Sequence, residues 1–189
     1  MWSKIQRYGV LILTISMACT TEPKGQIDAY LAAINMHDVE RATSYLANDF
    51  RITFVDYGVS LDKAQAREAL AWDAGANGHV RFEPSDVQEY AITGVLTEEN
   101  DFLKLVGIPV LKAKTTYRFD GHGLIKEQSY ELLPGQASFQ DAMQPAVAWA
   151  AEYRPEELAE IYPDGQMIYS EEMARRWVVL LKEWRAAKE

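Results

Sequence analysis

Hydrophobic residues near the start of the chain recur every three or four positions, which is the spacing of an α-helix. Ile27, Tyr30, Leu31 and Ile34 fall at i, i+3, i+4 and i+7, so all four share one helical face. A polar stretch then interrupts the pattern and ends in Asp38, a residue type that caps helix N-termini. The pattern predicts one helix over these residues and a second short helix after Asp38.

A third helix is predicted to begin after Asp62. Gln65 follows three residues later, and this pair is typical of a capping box, in which two side chains satisfy the free backbone groups of a helix start. The helix carries Leu70 and Trp72 and is expected to end near Gly78.

Alternation of apolar and polar residues predicts strands in the middle of the chain. Phe50–Asp56 alternates so that Asp56 closes an otherwise apolar face. Glu98–Asp101 is expected to form a turn, and Asp120–Gly123 a hairpin turn. Further strands are predicted at residues 80–83, 86–97, 110–119 and 124–133. Helices followed by antiparallel strands give an α+β fold class.

The segment after Pro134 is predicted to be helical, over residues 138–153, 155–161 and 170–187. Its last helix carries an apolar stripe, and the stripe predicts that the tail packs against the rest of the protein; a lid or a partner-binding surface is the alternative. The stripe consists of Ala174, Trp177, Val178, Leu181 and Trp184.

Composition limits the classes of function. The chain has 189 residues, of which 48% are hydrophobic, enough for one domain with a sizeable core. Its net charge of −9 repels phosphate backbones and argues against nucleic-acid binding. His37, His79 and His122 lie in or beside turns without metal-ligand spacing, and we find no Gly-rich phosphate loop or nucleophile elbow. We therefore expect no metal site and no bound cofactor.

The first residues read as an export signal. Lys4 and Arg7 precede a short apolar run, which ends at a small residue and then Cys19, the single cysteine of the chain. This arrangement resembles the lipobox of bacterial lipoproteins, although Ser16 stands where that family usually has Leu. The resemblance implies a signal peptide over residues 1–18, acylation of Cys19 and a short linker over residues 19–25. An ordinary cleaved signal peptide and an uncleaved anchor are the alternatives.

Export of this kind implies a location. Because no acidic residue directly follows Cys19, resemblance to lipoprotein sorting rules favours the outer membrane, with the domain facing the periplasm. The membrane is then a partner through the acyl chains alone, since an acidic surface is not attracted to anionic lipid.

Two segments resemble the nuclear transport factor 2-like domains. Residues 27–38 and 45–50 resemble the opening of those domains, and residues 117–125 are similar to their last hairpin. The resemblance covers residues 26–133. It implies a cone-shaped, cystatin-like roll, in which a curved antiparallel sheet wraps around the N-terminal helices and encloses a pocket. The helical extension over residues 134–189 is not part of the common pattern.

The superfamily includes SnoaL-like polyketide cyclases, ketosteroid isomerases and many non-catalytic domains. Carrying over the isomerase positions places a phenol donor at Tyr30, which matches, but the general base at Phe54 and the second donor at Thr115. Asp56, two residues beyond Phe54 on the same predicted face, is the best candidate for a base. The alternative, which we favour, is that Asp56 begins a solvated turn before Gly58.

The pocket is expected to contain the residues that these arguments single out, and three functional hypotheses follow. The first is a lipid-anchored protein that binds a small apolar ligand or acts as a scaffold. The second is a SnoaL-like cyclase, isomerase or hydratase that uses Asp56 and Tyr30. The third is a subunit of an envelope complex that docks through its C-terminal helices. A homodimer or an envelope protein is the expected protein partner. The expected pocket residues are Tyr30, Ile34, Phe54, Asp56, Trp72, Thr115 and Tyr117.

Overall fold

The structure, a computed structural model, describes residues 23–188. The predicted signal peptide, the acylation site Cys19 and most of the linker lie outside these residues. Within the described part of the chain, no helix is long and apolar enough to cross a membrane.

The described chain alternates short helices with strands and then ends in three helices. The helices are α1 (Pro23–Asn35), α2 (Val39–Ser44), α3 (Lys63–Gly75), α4 (Asp101–Val106), α5 (Phe139–Tyr153), α6 (Pro155–Ile161) and α7 (Glu171–Ala186). The strands are β1 (Leu46–Phe54), β2 (Val59–Asp62), β3 (His79–Gln88), β4 (Ala91–Glu99), β5 (Leu111–Phe119) and β6 (Ile125–Leu132). Single 3-10 turns occupy Val55–Tyr57 and Pro163–Gly165.

The predicted helix starts are present. The Asp38 side chain accepts a hydrogen bond from the Arg41 backbone N–H at 3.0 Å and so caps α2. Asp62 and Gln65 form the reciprocal capping box at the start of α3. These local signals act on backbone groups within one turn, which is why the sequence alone indicates them.

The six strands form one curved sheet in the order β2-β1-β6-β5-β4-β3. Neighbouring strands run antiparallel, except that β1 and β6 pair in parallel, with Phe54 beside Tyr130. The α+β class and the curved sheet are thus confirmed. The expectation of an antiparallel sheet needs one correction: the sheet is mixed, because β1, the first strand in the sequence, pairs in parallel with β6, the last.

The predicted turn at Glu98–Asp101 is wrong. Glu98 and Glu99 continue β4, in register with Val80 and His79 of β3. Asn100 then begins α4, and its side chain accepts a hydrogen bond from the Leu103 backbone N–H at 2.7 Å. The polar residues read as a turn because a strand end and a helix cap share the same composition.

Two hydrophobic cores lie on either side of α3. The first, which we call the cone core, fills the space between the sheet and the helices α1, α2 and α3. The second, the helical core, joins α3 and α4 to the C-terminal helices. The cone core includes Ile27, Tyr30, Leu31, Leu46, Phe50, Ile92, Leu96, Tyr117, Ile125 and Tyr130. The helical core includes Trp72, Phe102, Leu103, Met143, Ile161, Trp177, Leu180, Leu181 and Trp184.

The apolar stripe of α7 lies inside the helical core. Trp177 is fully buried against Phe102 and Tyr162, at ring distances of 5.9 and 5.6 Å. Helix α7 also packs very closely on α3. Gly75 leaves so little space that a Cβ built on it would stand 2.2 Å from the Glu171 carbonyl oxygen. The tryptophans of the stripe are therefore buried within the chain itself.

Candidate active site

A cavity of about 100 Å³ lies between the concave face of the sheet and the helices α1 and α3. Its wall is mostly aliphatic and aromatic, and it contains neither lysine nor arginine. The lining residues are Tyr30, Leu31, Ile34, Phe50, Ile52, Phe54, Leu61, Ala66, Ala69, Leu70, Asp73, Val80, Leu96, Glu98, Tyr117, Gln128 and Tyr130.

Four of the seven expected pocket residues line this cavity: Tyr30, Ile34, Phe54 and Tyr117. The other three lie elsewhere. Trp72 points into the helical core, where its ring meets that of Phe102 edge-on at 5.5 Å. Thr115 is fully buried in β5, and its Oγ1 has no hydrogen-bond partner. Trp72 lies outside the cavity because it projects from the face of α3 that is turned away from the sheet.

Asp56 is the third, and the expected pocket position of this residue needs correction. It lies in the 3-10 turn after β1, with its side chain exposed. Its Oδ2 accepts a hydrogen bond from the Leu132 backbone N–H at 2.7 Å. The strand ends at Phe54, so the alternation that placed Asp56 beside Phe54 no longer holds. Asp56 joins the turn to the end of β6, in line with the turn alternative stated above.

Two other carboxyl groups enter the cavity. Asp73 lies in the last turn of α3, and Glu98 near the end of β4. A backbone hydrogen bond of 2.8 Å from the Asp101 N–H to the Ala76 carbonyl joins these two element ends. The sequence folds this way because α3 ends just before β3 begins, and the hairpin β3–β4 returns the chain to the same end of the sheet.

Asn100 connects Glu98 to the scaffold. It is 3% exposed; its carbonyl oxygen caps α4 while its Nδ2 donates to the Glu98 Oε1 at 3.2 Å. The neighbouring Tyr130 hydroxyl also favours the ionised form of Glu98 and so lowers its pKa. Glu98 is thus oriented by the Asn100 side chain.

The two carboxyl groups differ in the environment that sets their pKa values. Burial raises the pKa of Asp73 well above its usual range, and the charge of Glu98 raises it further. Burial also raises the pKa of Glu98, but the Asn100 hydrogen bond and the Tyr130 hydroxyl favour its ionised form and oppose that rise. The Asn100 hydrogen bond therefore favours the ionised form of Glu98, whereas burial and the charge of Glu98 favour the protonated form of Asp73.

Three tyrosines complete the cavity wall. Burial raises the pKa values of Tyr30, Tyr117 and Tyr130, so these hydroxyls stay protonated. The Tyr30 ring meets that of Tyr117 edge-on at 6.3 Å, and the Tyr130 ring lies 5.4 Å from that of Phe54. The cavity thus offers neutral phenol donors and two carboxyls. Among residues 23–188, no group of three His, Cys, Asp or Glu side chains is placed to hold a metal ion.

Sequence reasoning missed the carboxyl pair, although a signal for it exists. Asp73 follows Ala66, Ala69 and Leu70 at helical spacing, so a carboxylate continues an apolar helix face. Glu98 continues the alternation of buried Ile92, Gly94 and Leu96 in β4 in the same way. Each is an acid at a core-facing position. In the sequence they look like solvated acids, and only the tertiary structure shows that both line one cavity.

Solved structures with this fold include two enzymes or enzyme-like proteins. The putative ketosteroid isomerase from Kribbella flavida is 11% identical with a TM-score of 0.52, over 65% of this chain and 86% of that one. The epoxide hydrolase/cyclase-like enzyme SalBIII, from pyran ring formation in salinomycin, is 17% identical with a TM-score of 0.51, over 62% and 95%.

A third similar structure is a protein of unknown function with a cystatin-like fold from Methylobium petroleophilum. It is 17% identical with a TM-score of 0.51, over 64% of this chain and 81% of that one. No protein-family model matches the chain, and no curated protein sequence matches it. At these identities the likeness shows the fold. The chain has a cystatin-like fold, as its sequence predicted.

Proposed function

We propose that this protein is an acid–base enzyme acting on a small, uncharged and largely apolar molecule. The observation that carries the proposal is that two carboxyls line one largely apolar cavity, where Asn100 donates a hydrogen bond to Glu98. Glu98, stabilised as an anion by Asn100 and Tyr130, is the general base. Asp73, which keeps its proton, is the general acid.

The chemistry of such a pair is a proton relay across the bound molecule. Glu98 removes a proton from an acidic C–H or O–H group, while Asp73 delivers its own proton to an oxygen at the other end. The electron pairs of the bound molecule shift between the two sites of proton transfer. The molecule gains one proton for each proton that it loses. Isomerisation of an enolisable ketone and opening of an epoxide by an internal hydroxyl both have this balance.

Charge and size support the substrate class. The cavity wall has no basic side chain to pair with a carboxylate or phosphate, so a charged substrate would be buried without a partner. The names of the two similar enzymes mention ketosteroid isomerase and epoxide hydrolase/cyclase-like activities, which are consistent with acid–base work on neutral molecules.

The test compares three variants of similar size change: Glu98→Gln, Asp73→Asn and the control Glu99→Gln. Glu99 neighbours the base in sequence, but its side chain is 47% exposed. Wild type and Glu99→Gln are expected to exchange the α-protons of an enolisable ketone in D₂O, or to open a neutral epoxide. Glu98→Gln should lose about 10²–10⁴-fold in rate. Equal rates in all four proteins, with ordinary titration of both carboxyls by NMR, would refute the proposal.

A second candidate is non-catalytic binding of a small molecule. The observation that favours it is the narrowness of the cavity, which at about 100 Å³ is smaller than the roughly 150 Å³ that admits benzene. Under this alternative, Glu98→Gln would change ligand affinity while no substrate is turned over.

Export and anchoring through Cys19 form a separate proposal, supported by the signal-like pattern of the first residues. Cys19→Ser should release the protein from the outer-membrane fraction and block acyl labelling in its native host. A wild-type protein that is soluble and unlabelled would contradict it. The result is independent of the test of the carboxyl pair.

A further inference from the structure

One buried polar side chain in the cavity wall has no hydrogen-bond partner within residues 23–188. Gln128 lies in β6, is 7% exposed and lines the cavity. Two other buried polar side chains are bonded: the Thr43 hydroxyl donates to the Val39 carbonyl at 2.7 Å, and Asn100 donates to Glu98. The Gln128 amide keeps both its donor and its acceptor groups free for a further partner.

The alternation of β6 directs this amide into the cavity. Gln128 and Tyr130 are buried on the same face of the strand, and both line the cavity. Ile52 of β1 and Tyr117 of β5 stand beside Gln128 in the sheet and line the cavity as well. The amide is therefore a single polar group between an aliphatic and an aromatic neighbour.

The strand register separates the amide from the carboxyl pair. Gln128 pairs with Tyr117 of β5, whereas Glu98 pairs with Leu111 of the same strand. These two positions are six residues apart on β5, which corresponds to about 20 Å of extended strand. The cavity wall therefore carries its carboxyls toward one end and the amide toward the other.

The chemistry of the wall describes the ligand that suits this amide. A buried amide without hydrogen bonds costs free energy, which a ligand oxygen offsets when it accepts from the Gln128 Nε2. The wall has no lysine or arginine, so this oxygen belongs to a carbonyl or hydroxyl rather than to a carboxylate or phosphate. At about 100 Å³, the cavity suits a chain better than a ring, since benzene needs roughly 150 Å³.

We infer that Gln128 is a specificity-determining residue, whose amide binds a carbonyl or hydroxyl oxygen of a linear, neutral molecule. This oxygen lies at the opposite end of the molecule from the group that reacts at Asp73 and Glu98. The inference rests on the proposed function, because it describes the substrate of the same cavity. Binding at Gln128 requires no proton transfer, however, so the two can be tested separately.

The test uses two linear probes of the same shape, 2-pentanone and 2-methyl-1-pentene, in which a CH₂ group replaces the carbonyl oxygen. Binding to the full chain is followed by NMR. In wild type, 2-pentanone should shift the side-chain amide resonances of Gln128. Gln128→Leu should lower the affinity for 2-pentanone relative to the alkene by about fivefold, because it removes the hydrogen bond and keeps the apolar contacts.

Gln88→Leu is the matched control. Gln88 is an exposed glutamine of β3, and its Nε2 donates to the Asp86 Oδ2 at 2.8 Å. This variant should keep the wild-type affinity ratio. A melting temperature of Gln128→Leu equal to or above that of wild type is also expected, since leucine leaves no amide unpaired.

An unchanged affinity ratio with unmoved Gln128 amide resonances, or no binding of either probe, would overturn the inference. A lower melting temperature of Gln128→Leu with an unchanged ratio would assign the amide to folding instead. If the ratio responds while Glu98→Gln and wild type exchange α-protons at equal rates, Gln128 stands as a binding residue and the acid–base proposal fails.

Discussion

The cone core and the helical core are built from similar residues but contain different polar groups. The cone core surrounds a cavity that holds two carboxyls and three tyrosine hydroxyls. The buried helical core is formed of aliphatic and aromatic side chains, four of them tryptophan or phenylalanine. Burying carboxyls without a basic partner costs free energy, whereas burying tryptophan gains it. We therefore expect the packing of the helical core to increase the free energy of unfolding, and the buried carboxyls of the cone core to decrease it.

The largest effect should come from the helical core. Trp177→Ala is expected to lower the free energy of unfolding by about 3–5 kcal/mol, because it removes a fully buried indole and leaves a cavity. Chemical denaturation measures this, with Val179→Ala as control. Val179 lies on the same helix but is 54% exposed, so its truncation should change stability by less than about 0.5 kcal/mol. Similar losses in both variants would mean that α7 contributes little through packing.

Gly75→Ala tests the contact between α3 and α7. Helix propensity alone would make this change stabilising by about 1 kcal/mol. The added Cβ would however stand 2.2 Å from the Glu171 carbonyl oxygen, so the helices must separate, and we expect a net loss of about 1–3 kcal/mol. Gly121→Ala is the control, since a Cβ there has open space around it. A rise in the melting temperature of Gly75→Ala would disprove this close packing.

Asp73→Asn should raise the free energy of unfolding near neutral pH, whereas the two preceding variants lower it. The pKa values of Asp73 and Glu98 are raised by folding, so the native state binds more protons than the unfolded state above about pH 4. Stability therefore falls as the pH rises through the raised pKa values. The amide cannot ionise, so this variant should be more stable than wild type near neutral pH by about 1–2 kcal/mol.

Unfolding of Asp73→Asn should be measured at several pH values between 4 and 8. The pH dependence should be flatter than in wild type, while Glu68→Gln, an exposed carboxyl on the same helix, should keep the wild-type slope. If stability changes with pH equally in all three proteins, burial of Asp73 does not lower the free energy of unfolding.

The smallest effect is expected at Asp56. Asp56→Ala removes the acceptor for the Leu132 N–H and should cost about 0.5–1.5 kcal/mol, whereas Asp56→Asn, which keeps an acceptor oxygen, should cost less. Thermal denaturation measures both. Loss of ketone exchange in Asp56→Asn without loss of stability would restore Asp56 as the base and set aside the carboxyl pair.

Local signals in the sequence were sufficient for the helices and their caps. Asp38 and the box of Asp62 with Gln65 act within a single turn, and the three C-terminal helices lie within about two residues of their predicted bounds. The strand β2 and the helix α4 were missed, since each is four to six residues long and lacks a full period of its pattern.

The carboxyl pair shows why the site was harder to predict than the fold. The alternation after Phe50 suggested Asp56, but the strand ends one residue after Thr53 and the chain turns. Of the three positions that the resemblance carried over, Tyr30 and Phe54 line the cavity and Thr115 does not. The resemblance did not point to Asp73 or Glu98.

The sequence by itself determined the α+β class, the capped starts of α2 and α3, the C-terminal helices and the apolar faces, because these follow from spacing and from capping between near neighbours. Tertiary structure alone decided that β1 closes in parallel against β6, and that the ends of α3 and β4 meet at the Ala76–Asp101 hydrogen bond. The proton affinities of Asp73 and Glu98 were decided there too. A carboxyl's pKa depends on the water it loses and the donors it gains, and both are supplied by residues distant in the chain.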